Sequence, residues 1–208
     1  SPHILLACGA ASAISSGFGA PIAGLIFAHE VIVRHFSLKA VAPILVSSIV
    51  AHTVSTEFYG GEPLFKAEVG GISALYEILP LIIIGLLSGF VASIYMRGLT
   101  GYLPIPKKIP VFLLPIIAGI ICGIVGLLVP EILGIGSDTI RSLLVDEKTI
   151  VSLIILLVAK LLVTVICIRL NLFGGIFSPA LFIGASLGCI LAVFFKTFIP
   201  DANSALFA

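Results

Sequence analysis

Six long apolar stretches occupy most of this 208-residue sequence. They cover residues 4–33, 38–55, 72–95, 111–133, 150–168 and 173–199. A helix needs about 17–25 mostly apolar residues to cross the hydrocarbon core of a bilayer, so each stretch is long enough to cross. Only 10% of the residues are charged, whereas soluble domains carry roughly a quarter. The sequence therefore predicts an all-α integral membrane protein.

Glycine and proline are scattered through the apolar stretches rather than gathered in linkers. Lipid cannot satisfy free backbone N–H and C=O groups, so irregular backbone at membrane depth survives only inside protein or along a polar cavity. We therefore expect broken and tilted helices, and each break is a candidate site. The segment 15–24 is predicted to split the first stretch into two short helices, and its small residues favour close helix packing.

The connections between the stretches alternate in charge. Those near Arg34, Arg97 and Arg169 are basic, whereas residues 57–77 and 131–148 carry an excess of Asp and Glu. Because Lys and Arg are enriched in cytoplasmic loops, the three basic connections are predicted to be cytoplasmic. The simplest organisation is one membrane domain over residues 1–208.

Composition and spacing argue against several other classes of protein. A net charge of +1 and the lack of a basic face with interleaved aromatics exclude a nucleic-acid partner. The four cysteines are isolated within apolar stretches and are predicted to be small core residues rather than metal ligands or a redox pair. The first residues lack the basic region of a signal peptide, and we expect the start to be a cut end.

His29 and Glu30 form the most polar point of the first stretch, and His35 follows. Zinc ligands on one helix face need a spacing of three or four residues, which His29 and His35 do not have. We predict no metal site and no catalytic residue here, and a membrane-embedded metalloenzyme remains the distant alternative. The favoured interpretation is a helix end whose polar groups reach interfacial water, ahead of a functional Glu30.

The segment 171–179 forms a second break, between the fifth stretch and an apolar run over residues 180–193. Gly174 and Gly175 precede a helix start that has Pro179 in its first turn. The N–H groups of a first turn lack acceptors within the helix, and with the helix dipole they form a ready anion site. Transporters bind anions at such half-helix ends. On the pattern alone, a tightly packed re-entrant turn is an equally good interpretation.

Lys160 is a lone charge inside the fifth stretch. A lysine at membrane depth is a functional-site hypothesis by default. Snorkelling to the interface and pairing with a neighbouring helix are equally good explanations, so we assign Lys160 no role.

Three motifs, in order, resemble the CLC family of chloride channels and chloride/proton antiporters. The string Gly174-Gly175-Ile176-Phe177-Ser178-Pro179 looks like the family's GxFxP signature. Residues 17–30 are similar to the segment that follows its gating-glutamate helix, and residues 134–140 resemble a recurrent loop. The resemblance covers the whole chain, which corresponds to about half of the family's membrane core, roughly helices G to N. It implies a CLC-type multi-helix membrane domain, part of an inverted-repeat architecture.

The resemblance also implies a backbone anion site. In the family, the amides of the residues matching Ile176 and Phe177 donate to chloride near mid-membrane. Here the expected donors are the amides of Gly175, Ile176 and Phe177. The expected supporting loop consists of Gly174, Ser178 and Pro179. The two glycines would let the backbone approach the ion, and the proline would fix the first turn. The family's gating glutamate and pore-lining tyrosine are expected outside this sequence.

One departure from the family concerns proton coupling. Proton-coupled members often carry an internal glutamate at the position that matches Val31, one residue after Glu30. Valine cannot carry a proton, and one residue along a helix turns a side chain by about 100°. We therefore favour a passive chloride channel, with or without voltage dependence. The alternative is a chloride/proton antiporter in which Glu30, His29 or water relays the proton.

The remaining expectations also follow from the resemblance. Family members are homodimers with a pore in each subunit, so a homodimer in the cell membrane is implied, with lipid and chloride as its other partners. The stripe Ile22, Ile26, His29 and Val33 has suitable spacing for the dimer face and could equally pack within one subunit. No cofactor and no enzymatic reaction are implied, and residues 1–208 alone are not expected to form a complete conduction path.

Overall fold

A computed structural model describes residues 2–35, 37–60, 78–101, 110–145 and 148–196. Every regular element within those ranges is helical, which confirms the predicted all-α class. The α-helices are α1 (Pro2–Phe18), α2 (Pro21–Phe27), α3 (Leu38–Tyr59), α4 (Ile78–Thr100), α5 (Leu114–Leu128), α6 (Ser137–Val145), α7 (Ile150–Arg169) and α8 (Phe177–Lys196). A π-helix, Ala28–Val33, continues α2, and 3-10 turns at Val111–Leu113 and Pro130–Ile132 flank α5.

Five described segments are long and apolar enough to cross a membrane. They are Leu38–Tyr59, Pro80–Thr100, Val111–Leu128, Ile150–Arg169 and Phe177–Phe195. Each matches one of the predicted apolar stretches. Large apolar side chains remain exposed along them, such as Leu86 and Phe90 on α4, as expected for helices surrounded by lipid or further protein. The chain is an integral membrane protein.

The first apolar stretch does not form a single spanning helix, as its small residues predicted. The chain leaves α1 at Phe18, Gly19 adopts a left-handed φ of +66°, and Pro21 opens α2. Glycine takes this conformation without the steric cost that a Cβ would add. Parts of the other predictions, namely stretch residues 72–77 and 197–199 and loop residues 61–77, 102–109 and 146–147, lie outside the described residues.

The short helix α6 lies where the sequence indicated only a loop. Gly136, with φ +77°, reverses the chain directly before it. Asp138 lies in the first turn, where a negative charge interacts favourably with the helix dipole. Ile140 and Leu143 then point into the core. A turn glycine followed by an acidic residue is the sequence signal that could have predicted this helix start.

The chain folds into two compact units, Ser1–Leu64 and Phe65–Ala208, and each has its own core. The predicted single domain over residues 1–208 stays a prediction. In the first unit, α1 and α3 pack through small side chains. The buried core consists of Ala7, Ala11, Ala28, Ala40 and Ile44. Small residues let helix backbones approach closely in a membrane, where apolar side chains gain little by leaving lipid.

Hydroxyl hydrogen bonds connect the helices of the first unit, and one glycine lets two of them approach closely. The Ser15 hydroxyl donates to the carbonyl of Ser48 at 2.6 Å, and the Ser48 hydroxyl donates to the carbonyl of Pro21 at 2.8 Å. A Cβ on Gly24 would lie only 2.6 Å from the carbonyl oxygen of Ala11. The packing interpretation of residues 15–24 is therefore confirmed.

In the second unit, α7 and α8 pack together and α6 covers them. Their shared core consists of Ile132, Ile140, Leu143, Leu153, Leu156, Phe182, Ala185 and Cys189. The C-terminal ends of α4 and α7 lie side by side, since a Cβ on Gly98 would meet Val165 at 2.9 Å and one on Gly101 would meet the Arg169 guanidinium at 3.2 Å. The basic ends at Arg97 and Arg169 thus lie together, and the membrane side they face stays a prediction.

Candidate anion-binding site

The turn that leads into α8 begins with a well-defined end to α7. Asn171 adopts a left-handed φ of 59°. Its N–H donates to the carbonyl of Ile168 at 3.2 Å, and the N–H of Leu172 donates to that of Cys167 at 2.9 Å. This pair of bonds closes a helix in the Schellman motif, with asparagine in the position that glycine usually takes. The chain is thereby turned toward the start of α8.

The helix α8 begins at Phe177, so Pro179 lies in its first turn as predicted. The carbonyl of Ile176 accepts the first helical hydrogen bond, from the N–H of Ala180 at 3.3 Å. N–H groups ahead of that bond point out along the helix axis, where the dipole carries about half a positive charge. No acidic residue lies in the first turn. This end of α8 therefore suits a small anion.

Gly174 and Gly175 are both exposed and neither has a positive φ. A Cβ on either would meet nothing within 4 Å among the described residues. The two glycines are thus required neither by backbone conformation nor by packing in this structure. What they leave is open space beside the backbone, and their expected part in letting an ion approach stays a prediction.

Two hydroxyl groups anchor the start of α8. Tyr95 of α4, whose side chain is only 6% exposed, donates to the carbonyl of Ile176 at 3.2 Å. Ser178 donates to the carbonyl of Ile135 at 2.7 Å. Sequence reasoning missed Tyr95, because it lies 81 residues away inside an apolar stretch and no local pattern marks its partner.

The Tyr95 contact also gives the depth of the turn within the second unit. Tyr95 lies five residues before the end of α4, which at 1.5 Å per residue is about 7.5 Å. The carbonyl of Ile176 therefore lies beside the spanning segment Pro80–Thr100 rather than beyond its end. Irregular backbone at such a depth is stable only where protein or a polar cavity surrounds it.

Lys160 is 4% exposed and does not snorkel. Its ammonium donates to the carbonyls of Ile132 at 2.6 Å and Gly134 at 2.9 Å, and lies 5.1 Å from the centre of the Phe182 ring. Pairing with a neighbouring segment is the alternative that the structure supports. Lys160 holds the same loop whose Ile135 carbonyl accepts the bond from Ser178.

His29 and Glu30 lie in the π-helix Ala28–Val33 rather than at a plain α-helical end. The ring of His29 is half-buried, with Nδ1 3.1 Å from the carbonyl of Leu25 and Nε2 3.5 Å from that of Ser37, whereas Glu30 is exposed. Among the described residues, no three His, Cys, Asp or Glu side chains come close enough to hold a metal ion. The proton relay through His29 and Glu30 stays a prediction.

The π-helix also changes the stripe predicted for a dimer face. The N–H of Arg34 bonds to the carbonyl of His29, five residues back, so the α-helical spacing does not continue past Ala28. Ile22 and Ile26 are exposed, while Val33 packs against the core of the first unit. The stripe is therefore not one continuous exposed face.

Comparison with known proteins identifies the family. The sequence profile described as voltage gated chloride channel matches residues 1–208. A putative chloride channel protein ClcB-like from Ralstonia nicotianae is 27% identical over 206 residues, which cover 96% of this chain and 47% of that protein. The voltage-gated ClC-type chloride channel ClcB from Citrobacter koseri is 27% identical, covering 95% of this chain and 48% of that protein.

A plant relative aligns as well. Chloride channel protein CLC-f from Arabidopsis thaliana is 31% identical over 202 residues, which cover 89% of this chain and 26% of that protein. The chain thus spans about half the length of the bacterial relatives it matches. Since the family profile extends over its whole length, the chain belongs to the voltage-gated chloride channel family, the CLC family.

Proposed function

We propose that this chain supplies an anion-binding element of a membrane pathway for chloride or a similar small anion. The observation that carries the proposal is the N-terminal end of α8, which begins at Phe177 beside a spanning segment and has no acidic residue in its first turn. Family membership supports the proposal, as do the relatives, whose names describe chloride channels.

The expected mechanism uses the backbone rather than reactive side chains. The amides of Gly175, Ile176 and Phe177 offer N–H donors and the positive end of a helix dipole, which replace part of the water around the anion. Partial charges bind a monovalent ion firmly enough for it to enter and weakly enough for it to leave, as conduction requires. The membrane potential and the anion gradient drive the movement of the anion, so the proposed function involves ion permeation and no enzymatic reaction.

Within this pathway we favour a passive channel over chloride/proton exchange. Val31 occupies the position where proton-coupled members often carry an internal glutamate, and its side chain cannot be protonated. The names of the bacterial relatives also describe channels. Exchange is the alternative, and it would require Glu30, His29 or water to carry protons at the internal end.

Chloride efflux from liposomes that contain the full-length protein, with simultaneous recording of external pH, tests both points. Chloride efflux without proton movement is the result expected of a channel. Efflux with a fixed ratio of protons to chloride would instead establish exchange and direct attention to Glu30 and His29. No efflux at all would contradict the proposed anion pathway.

Proline substitution at Phe177 tests the backbone site directly. Proline is well tolerated at the first position of a helix but has no N–H. Phe177→Pro is therefore expected to lower chloride affinity by about 10- to 100-fold, the size expected for one hydrogen bond to a charged group. Phe177→Leu removes the ring but keeps the N–H, and it serves as the matched control. Equal affinity in the two variants would rule out a backbone donor at this position.

For topology and assembly we propose a homodimer in the cell membrane, with the connections near Arg34, Arg97 and Arg169 facing the cytoplasm. The adjacent ends of α4 and α7 support a common side for Arg97 and Arg169. Single cysteines at these two positions, in a protein without other cysteines, should react with an impermeant maleimide only from the cytoplasmic face. Labelling from opposite faces would contradict the topology.

A further inference from the structure

One peptide plane connects Tyr95 to the proposed anion site. The carbonyl oxygen of Ile176, which accepts the Tyr95 hydroxyl at 3.2 Å, belongs to the same peptide group as the N–H of Phe177. A peptide group is planar, and in its trans form the C=O and N–H point in opposite directions. Fixing the direction of this carbonyl therefore fixes the direction of the N–H on the other side.

The packing around Tyr95 restricts the position of its hydroxyl group. Its ring is buried beside a cleft of about 200 Å³ between α4 and α8, lined also by Ala92, Ile183 and Gly184. The hydroxyl approaches the carbonyl from α4, while the bond from Ala180 is made within α8. The carbonyl of Ile176 thus accepts one hydrogen bond from α4 and one from α8. Rotation of this peptide would break both bonds.

We propose that Tyr95 is a positioning residue for anion binding, which it controls through the Ile176–Phe177 peptide without touching the anion. This inference rests on the proposed anion site at the start of α8. A donor on a carbonyl also polarises the amide, which makes the N–H of the same peptide a better donor. Tyr95 therefore both orients the Phe177 N–H and strengthens it.

Selective labelling allows this one peptide to be observed. Protein carrying carbonyl-¹³C isoleucine and ¹⁵N phenylalanine gives paired signals only from Ile-Phe steps, and these 208 residues contain two, Ile26-Phe27 and Ile176-Phe177. Phe177→Leu removes one signal and thereby assigns it. The Phe27 amide lies in α2, outside the proposed site, and serves as an internal reference.

The experiment is a titration of the full-length labelled protein with sodium chloride, comparing the native protein with Tyr95→Phe. We expect the Phe177 signal to move on titration and the Phe27 signal to stay. In Tyr95→Phe the anion-free Phe177 signal should be displaced and the midpoint should rise about three- to tenfold, the size of one hydrogen bond. Tyr59→Phe removes a hydroxyl from a 90% exposed residue of α3 and should leave the midpoint unchanged.

Two results would overturn the inference, and they differ in what else they affect. A midpoint and an anion-free signal that are the same in Tyr95→Phe and the native protein would refute the role of Tyr95 and leave the anion site standing. A native Phe177 signal that does not respond to chloride would refute the anion site itself, and the positioning role with it.

Discussion

The ammonium of Lys160 lies 2.6 Å from the carbonyl oxygen of Ile132 and 2.9 Å from that of Gly134. Both acceptors lie in the segment between α5 and α6. A buried charge is tolerated when hydrogen bonds and nearby polar or aromatic groups replace its water. Lys160 thus fastens α7 to the loop that also accepts the hydroxyl of Ser178.

Replacing Lys160 with methionine should therefore destabilise the protein. Methionine fills a similar volume but leaves the carbonyls of Ile132 and Gly134 without their donor, at a cost of about 2–4 kcal/mol. Thermal unfolding of the full-length protein in detergent measures the loss. Lys148→Met is the matched control, because Lys148 forms a partly exposed ion pair with Glu131 at 3.3 Å that is worth at most about 1 kcal/mol. Equal losses of stability in the two variants would show that the buried Lys160 contacts stabilise the protein no more than the exposed ion pair does.

The anchor at Ser178 should affect anion binding more than stability. Ser178→Ala removes the 2.7 Å bond to the carbonyl of Ile135, so the first turn of α8 gains freedom relative to that loop. We expect the chloride dissociation constant to rise about two- to fivefold, as for one neutral hydrogen bond. Ser142→Ala is the control, since among the described residues that hydroxyl donates within α6, to the carbonyl of Thr139. Calorimetric titration with chloride compares the two, and equal constants would contradict the anchor.

The spanning helices could be predicted from sequence because lipid imposes length and composition on each of them. The stretch 150–168 became α7, Ile150–Arg169, almost residue for residue. Pro179 likewise predicted the start of α8, because proline is best tolerated in a first turn. In both cases the controlling physics acts within the segment itself.

Contacts between distant segments could not be predicted in this way. Nothing near Tyr95 indicates that its hydroxyl would reach a carbonyl 81 residues later, and nothing near Lys160 identifies its acceptors 26 and 28 residues earlier. The π-helix Ala28–Val33 was also missed, because the apolar side chains of that segment fit an α-helix equally well. Such features depend on which backbone groups the fold brings together.

Close packing at Gly24 leads to a prediction for the first unit. A Cβ there would lie 2.6 Å from the Ala11 carbonyl oxygen and 3.1 Å from the Ser48 hydroxyl, so α2 would have to move. Gly24→Ala should lower stability by about 1–3 kcal/mol, the usual cost of overpacking. In Gly9→Ala the added Cβ meets nothing within 4 Å in the part of the chain that the structure describes, and the change should be neutral or stabilising because alanine favours helix. Thermal unfolding distinguishes these results, and equal stability would contradict the close contact.

Substitution of Ser186, unlike that of Gly24 or Lys160, is predicted to stabilise the protein. Its hydroxyl on α8 is fully buried and has no hydrogen-bond partner among the described residues. An unpaired buried hydroxyl costs about 1–3 kcal/mol, so Ser186→Ala should raise the unfolding temperature of the full-length protein. Ser48→Ala is the contrasting control, because that hydroxyl donates to the carbonyl of Pro21 at 2.8 Å and its loss should lower the unfolding temperature.

If Ser186→Ala were instead destabilising, the Ser186 hydroxyl must have an acceptor in the full-length protein. That acceptor would then lie outside the described residues or in a bound water molecule, since buried hydroxyl groups in membrane proteins seldom stay unpaired. Because α8 also carries the proposed anion-binding turn at its start, chloride affinity should be measured on the same variant. An unchanged affinity is expected, since Ser186 lies nine residues after Phe177 and about 13.5 Å from it along the helix axis.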